Sequence, residues 1–213
     1  MSLELSEVLF IGKGHHKAVY KHPANENLCI KIPFALPDVD ITKELAYRKA
    51  LSRRKKKLSL LTEYLGTVET NLGTGYVFER IVDYDGSAST LWKSVLEGKI
   101  PVRETFGVSA LDLLMKFRDV MLAEKVVVSD VDAANFMIMR TSADSFVFKV
   151  VDNIGTPVFL PLAYYIDFIA EKRIQRYWNR WIHGVRQDYA DFLTSAEWSL
   201  CSTPPPENYC EKL

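Results

Sequence analysis

Residues 8–32 read VLFIGKGHHKAVYKHPANENLCIKI, and this stretch decides how the chain begins to fold. Val8-Leu9-Phe10-Ile11 is a short apolar strand that stops at Gly12-Lys13-Gly14. Ala18-Val19-Tyr20 is a second strand. It is followed by the turn chemistry of His22-Pro23-Ala24-Asn25-Glu26-Asn27. Leu28-Cys29-Ile30-Lys31-Ile32 is a third strand, ended by Pro33. Three short strands joined by tight links make an antiparallel meander, and its first link holds two glycines.

Outward from the meander, Pro37-Asp38-Val39-Asp40 leads into a helix over about 41–51. There apolar Leu45 and Ala46 sit beside charged Lys43, Glu44 and Arg48. Two more strands are expected at Thr62–Thr70 and Gly75–Val82, separated by Asn71-Leu72-Gly73. Residues 83–88 read as a linker. Beyond it, Ser109–Glu124 is an amphipathic helix with Ser109 as N-cap. Val126–Val128 is short and β-branched, Phe146–Val151 is a strand, and Pro161–Leu193 is helical and aromatic-rich. The expected fold class is α+β. Its two lobes are an N-terminal antiparallel sheet with one helix over 1–82 and a mainly helical lobe over 89–200. An irregular tail follows from 201 to 213. A cleft is expected where the lobes meet.

The totals agree with such a domain. The chain has 213 residues, of which 48% are hydrophobic and 25% charged, enough to bury a core without staples. Lys+Arg and Asp+Glu both number 27, so global charge makes no case for nucleic acid. Cys29, Cys201 and Cys210 are odd in number and lack metal-binding spacing. They are expected as free thiols in a reducing cytoplasm. The first residues carry acids instead of a basic, apolar leader, and no run of about 18 apolar residues exists.

Four short motifs carry chemistry. Gly12-Lys13-Gly14, with Val19 five residues on, follows the G-x-G-x-x-G-x-V pattern of loops whose amides cover ATP phosphates. Lys17 stands where the third glycine would be. Cys29-Ile30-Lys31-Ile32 resembles V-A-I-K, a strand lysine that needs a phosphate and a carboxylate as partners. Glu44 on the following helix is placed to pair with Lys31. Asp130-Val131-Asp132-Ala133-Ala134-Asn135 spaces an Asp and an Asn as a kinase catalytic loop does, the Asp as base and the Asn as magnesium ligand. It lacks the preceding His-Arg, and Asp132 replaces the usual lysine. Val150-Val151-Asp152-Asn153-Ile154-Gly155 puts an Asp at a strand end, a geometry suited to magnesium. Each motif alone has a plain explanation as a hairpin, a surface lysine or an Asx turn. Their order carries the argument.

Taken together, these residues resemble the bacterial YrbL proteins of the PhoP regulatory network, a branch of the protein-kinase-like superfamily. The resemblance lies in GKGHHKAVYKHP (12–23), CIKI (29–32), KELAY (43–47), VETNLGTGYVFE (68–79), DYDGS (83–87), DVDAAN (130–135), and Asp152–Gly155 followed by FLPL (159–162). The family's usual proline in the catalytic loop is replaced by Ala133-Ala134. The resemblance implies a two-lobed kinase-like fold, a site for ATP and Mg2+, and a link to the response to low magnesium. By carry-over, Lys31 and Glu44 anchor phosphate and Asp130 is the base. Asn135 and Asp152 hold the metal. Gly12, Gly14 and the backbone at Phe78, Glu79 and Arg80 meet the nucleotide.

The phosphate acceptor stays open. Only TPVFLP separates Gly155 from the next helix, too short for the activation segment that seats a peptide. A small molecule, sugar or lipid head group is therefore the expected substrate. A pseudokinase that senses nucleotide or magnesium, or an interaction module with an empty cleft, are the alternatives. Arg53–Lys57 reads as a solvated run. EKRIQRYWNRWIHGVR (171–186) reads as a packed amphipathic helix, with peripheral contact to anionic lipid as the sharper alternative.

Overall fold

The opening meander forms as three antiparallel strands, β1 (Phe10–Lys13), β2 (Lys17–His22) and β3 (Asn25–Pro33). Val8 and Leu9 do not join it, because Glu7–Leu9 winds into a single 3-10 turn. The computed structural model describes residues 2–35, 39–53, 58–128, 132–152, 154 and 162–201. Helix α1 (Val39–Ser52) follows, then strands β4 (Tyr64–Thr70) and β5 (Gly73–Glu79). The five strands pair in the order β1-β2-β3-β5-β4.

Register explains which side of this sheet can bind anything. Ile30 lies opposite Val77 and Tyr20, while Lys31 lies opposite Tyr76 and Val19. With a period of two, the isoleucines fall on one face and Lys31 on the other. The isoleucine face closes over a small core of Leu5, Ile30, Ile32 and Val77. It is roofed by the N-terminal segment, where Leu3 N donates to the Glu69 carbonyl at 2.8 Å and Leu5 N to Asn71 Oδ1 at 2.8 Å. Gly75 leaves room for this core, since a Cβ there would stand 2.4 Å from Ile30 Cγ2. The opposite face looks toward the second lobe.

That lobe is built around one aromatic cluster. Its elements are β6 (Thr90–Leu91), α2 (Trp92–Leu96), α3 (Val102–Phe106), α4 (Ala110–Glu124), β7 (Phe136–Arg140), β8 (Phe146–Val150), α5 (Asp167–Asp188) and α6 (Ser195–Cys201). Ser109 caps α4 as expected, accepting from Asp112 N at 3.1 Å. The ring of Phe117 on α4 lies 4.6 Å from Phe136, 5.1 Å from Phe148 and 5.6 Å from Trp92 between centroids. Such ring pairs add to the burial that dominates the core. The lobe is less purely helical than its sequence suggested, because β6, β7 and β8 form a three-stranded antiparallel sheet.

The lobes are tied at several points. Tyr47 on α1 accepts from Val127 N at 2.7 Å and donates to the Lys125 carbonyl at 3.3 Å. Glu124 accepts from the amides of Ser59 and Leu60. Residues 83–87 close a turn, with Gly86 at φ 81°. Arg140 on β7 grips that turn through Asp83 at 2.6 Å and Asp85 at 2.9 Å. Val126–Val128 contributes one bridge, from Val128 to Ile154. Residues 202–213 of the expected tail lie outside the described residues.

Candidate functional site

The free face of the sheet and the β7–β8 side of the second lobe enclose a cleft of about 610 Å³. That volume lies within the range of small-ligand sites. Among the expected residues, Gly12, Gly14, Lys31, Phe78, Glu79, Arg80, Asn135 and Asp152 all line it. Glu44 does not, and Asp130 lies outside the described residues.

The geometry follows from local structure. β1 and β2 meet at a tight link in which Gly14 N donates to the Lys17 carbonyl at 2.9 Å. Gly12 and Gly14 have ordinary backbone angles, and a Cβ at either would meet nothing within 4 Å. Neither turn strain nor packing therefore demands glycine here. Without a Cβ, the backbone here is open to close approach from the cleft side. On the floor, Val151 N donates to the Asn135 carbonyl at 2.9 Å. This bond sets the end of the 3-10 turn Ala133–Asn135 beside the end of β8, and so brings Asn135 and Asp152 together. Asp132 helps by capping the same turn, accepting from Ala134 N at 2.7 Å.

Lys31 crosses the cleft. Its Nζ donates to the Val151 carbonyl at 2.6 Å and sits 4.2 Å from the centroid of the Phe78 ring. Only 6% of Lys31 is exposed, so these contacts replace much of the water its ammonium loses. The expected Lys31–Glu44 pair is not formed. Glu44 is buried and accepts instead from Arg48 Nε at 2.8 Å and Nη2 at 2.6 Å. Arg48 lies one helical turn further along α1, a closer partner than a lysine on a strand.

The residue that sequence reasoning missed is Lys17. Its Nζ stands 2.6 Å from Asp152 Oδ1, across 135 positions of chain. The sequence marked Lys17 only as a missing glycine. The signal that was available is register, since residue 17 shares the strand face of Val19, opposite Lys31. Cys29 also lines the cleft, and burial pushes its thiol pKa upward, with Lys31 pulling the other way. The backbone at Glu79 and Arg80 is partly committed. Their amides donate to the carbonyls of Glu63 and Asn27. The Glu79 side chain accepts from Lys149 at 3.0 Å.

The donor set suits a hard cation. Asn135 and Asp152 offer oxygens, and magnesium takes one or two protein carboxylates with the remaining positions filled by phosphate and water. Among the described residues no group of three or more His, Cys, Asp or Glu could hold a metal by itself.

On α5, Ile174, Trp178 and Ile182 are buried and Trp181 packs toward Trp92, 6.4 Å between centroids. Trp178 is thus part of the core, while Tyr177 and Trp181 pack against it partly exposed. Phe168, at the start of α5, stays exposed. Arg53 lies over the Tyr165 ring at 5.8 Å, and 54–57 lie outside the described residues. No helix among the described residues is long and apolar enough to cross a membrane.

Fold and site together define a two-lobed α+β domain with a largely apolar cleft between its lobes, into which Lys13, Lys17 and Lys31 also face. The chain belongs to the family described as PhoP regulatory network protein YrbL, which it matches over residues 3–186. It is 33% identical over 184 residues to the uncharacterized protein YrbL of Escherichia coli (strain K12), covering 84% of this chain and 86% of that one. The same figures hold for YrbL of Shigella flexneri. Among solved structures, the BubR1 kinase domain superposes with a TM-score of 0.47 at 15% identity. That superposition covers 77% of this chain and about half, 49%, of the kinase-domain chain.

Proposed function

We propose that this chain binds ATP together with magnesium in the interlobe cleft and transfers phosphate to a small molecule, a sugar or a lipid head group. The observation that supports the reading is the meeting of the glycine link, Lys31, Asn135 and Asp152 on one cleft wall and floor. In this reading Gly12 and Gly14 let backbone approach the phosphates, and Lys31 exchanges its carbonyl partner for a phosphate oxygen. Phe78 and Ile81 offer apolar wall to the base. With the amides of Glu79 and Arg80 spent, the base's polar edge meets the chain beyond them. Asn135 and Asp152 hold the magnesium, which when bound neutralises charge on the phosphates. Asp130 accepts the proton of the attacking hydroxyl. The family's description supports a place in the PhoP regulatory network, and a link to low magnesium is part of this reading.

A second reading keeps nucleotide binding without transfer. Two observations favour it: Glu44 is held by Arg48, and Asp152 is held by Lys17. A pseudokinase of this kind would report nucleotide or magnesium to a partner.

Thermal unfolding with ATP and magnesium tests the common part. A ligand at 100 times its dissociation constant stabilises by about 2.7 kcal/mol. For a chain of this size that raises the melting temperature by about 5–11 °C. No shift at millimolar ATP contradicts both readings. ATP turnover that disappears in Asp130→Ala and Asp152→Ala separates the first reading from the second. Binding without turnover across a metabolite panel leaves only the second.

A further inference from the structure

Lys17 and Asp152 form an ion pair that the proposed chemistry does not call for. The ammonium is almost wholly buried, with 8% of the side chain exposed against 28% for Asp152, and the contact is 2.6 Å. The two residues come from opposite walls of the cleft, Lys17 from the first residue of β2 and Asp152 from two residues past the end of β8. Lys31 is anchored one residue away, on the Val151 carbonyl. Two ammonium groups therefore already neutralise the place where a metal would be held.

A buried cation at this distance opposes a divalent ion in two ways. It competes for the same carboxylate oxygen, and it repels a second positive charge within a few ångströms in a medium poorer than water at screening. A polyphosphate reverses both effects, because it offers the ammonium a new anionic partner and frees the carboxylate.

We propose that Lys17 is a resident counter-cation for Asp152. It keeps divalent metal out of the empty cleft and admits it only with a phosphorylated ligand, to which the ammonium transfers. Lys17 is thus a positioning and specificity-determining residue for the metal. The inference rests on the reading of Asp152 as a metal-bearing carboxylate.

The test is Mn2+ binding to the purified full chain without nucleotide, read from loss of the free aquo-ion signal in electron paramagnetic resonance. Wild type, Lys17→Met, Lys17→Arg and Lys17→Met/Asp152→Asn are compared. Lys17→Met should bind Mn2+ at least about tenfold tighter than wild type. The gain should vanish in the double variant. Lys17→Arg, which keeps the charge, should stay within about threefold of wild type. Lys17→Met should also melt lower than wild type in a chelator, since it leaves Asp152 without its cation, and recover when Mn2+ is added. If Lys17→Met binds Mn2+ no tighter than wild type, or keeps its gain without Asp152, the proposal is overturned. The same titration with ATP present separates the two claims. Should Asp152→Asn leave binding of Mn2+ with ATP unchanged, the metal assignment itself fails. Should that binding depend on Asp152 while Lys17→Met shows no gain, only the counter-cation role fails.

Discussion

Arg48→Met removes one side chain and exposes what Glu44 depends on. The guanidinium gives Glu44 Oε1 two hydrogen bonds, at 2.8 and 2.6 Å. It also donates to the Thr62 hydroxyl at 3.0 Å and to the Thr62 carbonyl. Glu44 is only 2% exposed, so water cannot take over. A carboxylate left unpaired in such a place costs about 3–5 kcal/mol. For a chain of this length the melting temperature should fall by about 6–20 °C. Urea denaturation reads the effect as a lower midpoint with unchanged slope. Adding Glu44→Gln removes the stranded charge, so the double variant should be more stable than the sum of the two single losses predicts. A loss below about 1 kcal/mol, the level of a solvent-exposed helix pair, would refute the argument. So would simple additivity in the double variant.

Other variants probe the scaffold. Gly75→Ala should cost about 1–3 kcal/mol in urea denaturation, because the new methyl collides with Ile30 and with Ile32 Cδ1 at 2.9 Å. Adding Ile32→Val, which removes that Cδ1, should restore part of the loss. Ser109→Ala should cost about 1 kcal/mol through loss of the α4 cap, read in the same assay. Burial pushes the Cys201 thiol up to about 11. Its neutral form is the one folding favours. That contribution is therefore intact below about pH 9 and is lost as pH rises toward 11, a decline that Cys201→Ala should flatten in urea midpoints. Alkylation of Cys201 at pH 8 should run about 100-fold slower in the native protein than after unfolding.

Much of this architecture was legible in the residues. The meander was readable because Gly12-Lys13-Gly14 and Pro23–Asn27 punctuate short apolar runs. Helix α4 was readable because Ser109 starts a long amphipathic stretch. β7 was missed because Phe136–Arg140 is brief and the Asx-rich turn before it drew attention for its chemistry, while its pairing with β8 is a tertiary fact. The site was legible as an order of motifs, since Lys31, Asn135 and Asp152 do line one cleft. The partners of its charges were less so. Glu44 and Arg48 sit at i,i+4 spacing, a local signal that outweighed the longer reach to Lys31. Lys17 and Asp152 meet only because two lobes close on each other, which no local pattern records.

Hydrogen–deuterium exchange on the full chain, with and without ATP and magnesium, tests the central claim most directly. The account predicts slower exchange in three separated stretches at once, around 12–17, 78–81 and 135–152, with the slowing abolished in Lys31→Met and Asp152→Ala. Uniform exchange with and without nucleotide, or protection that survives both substitutions, would contradict it.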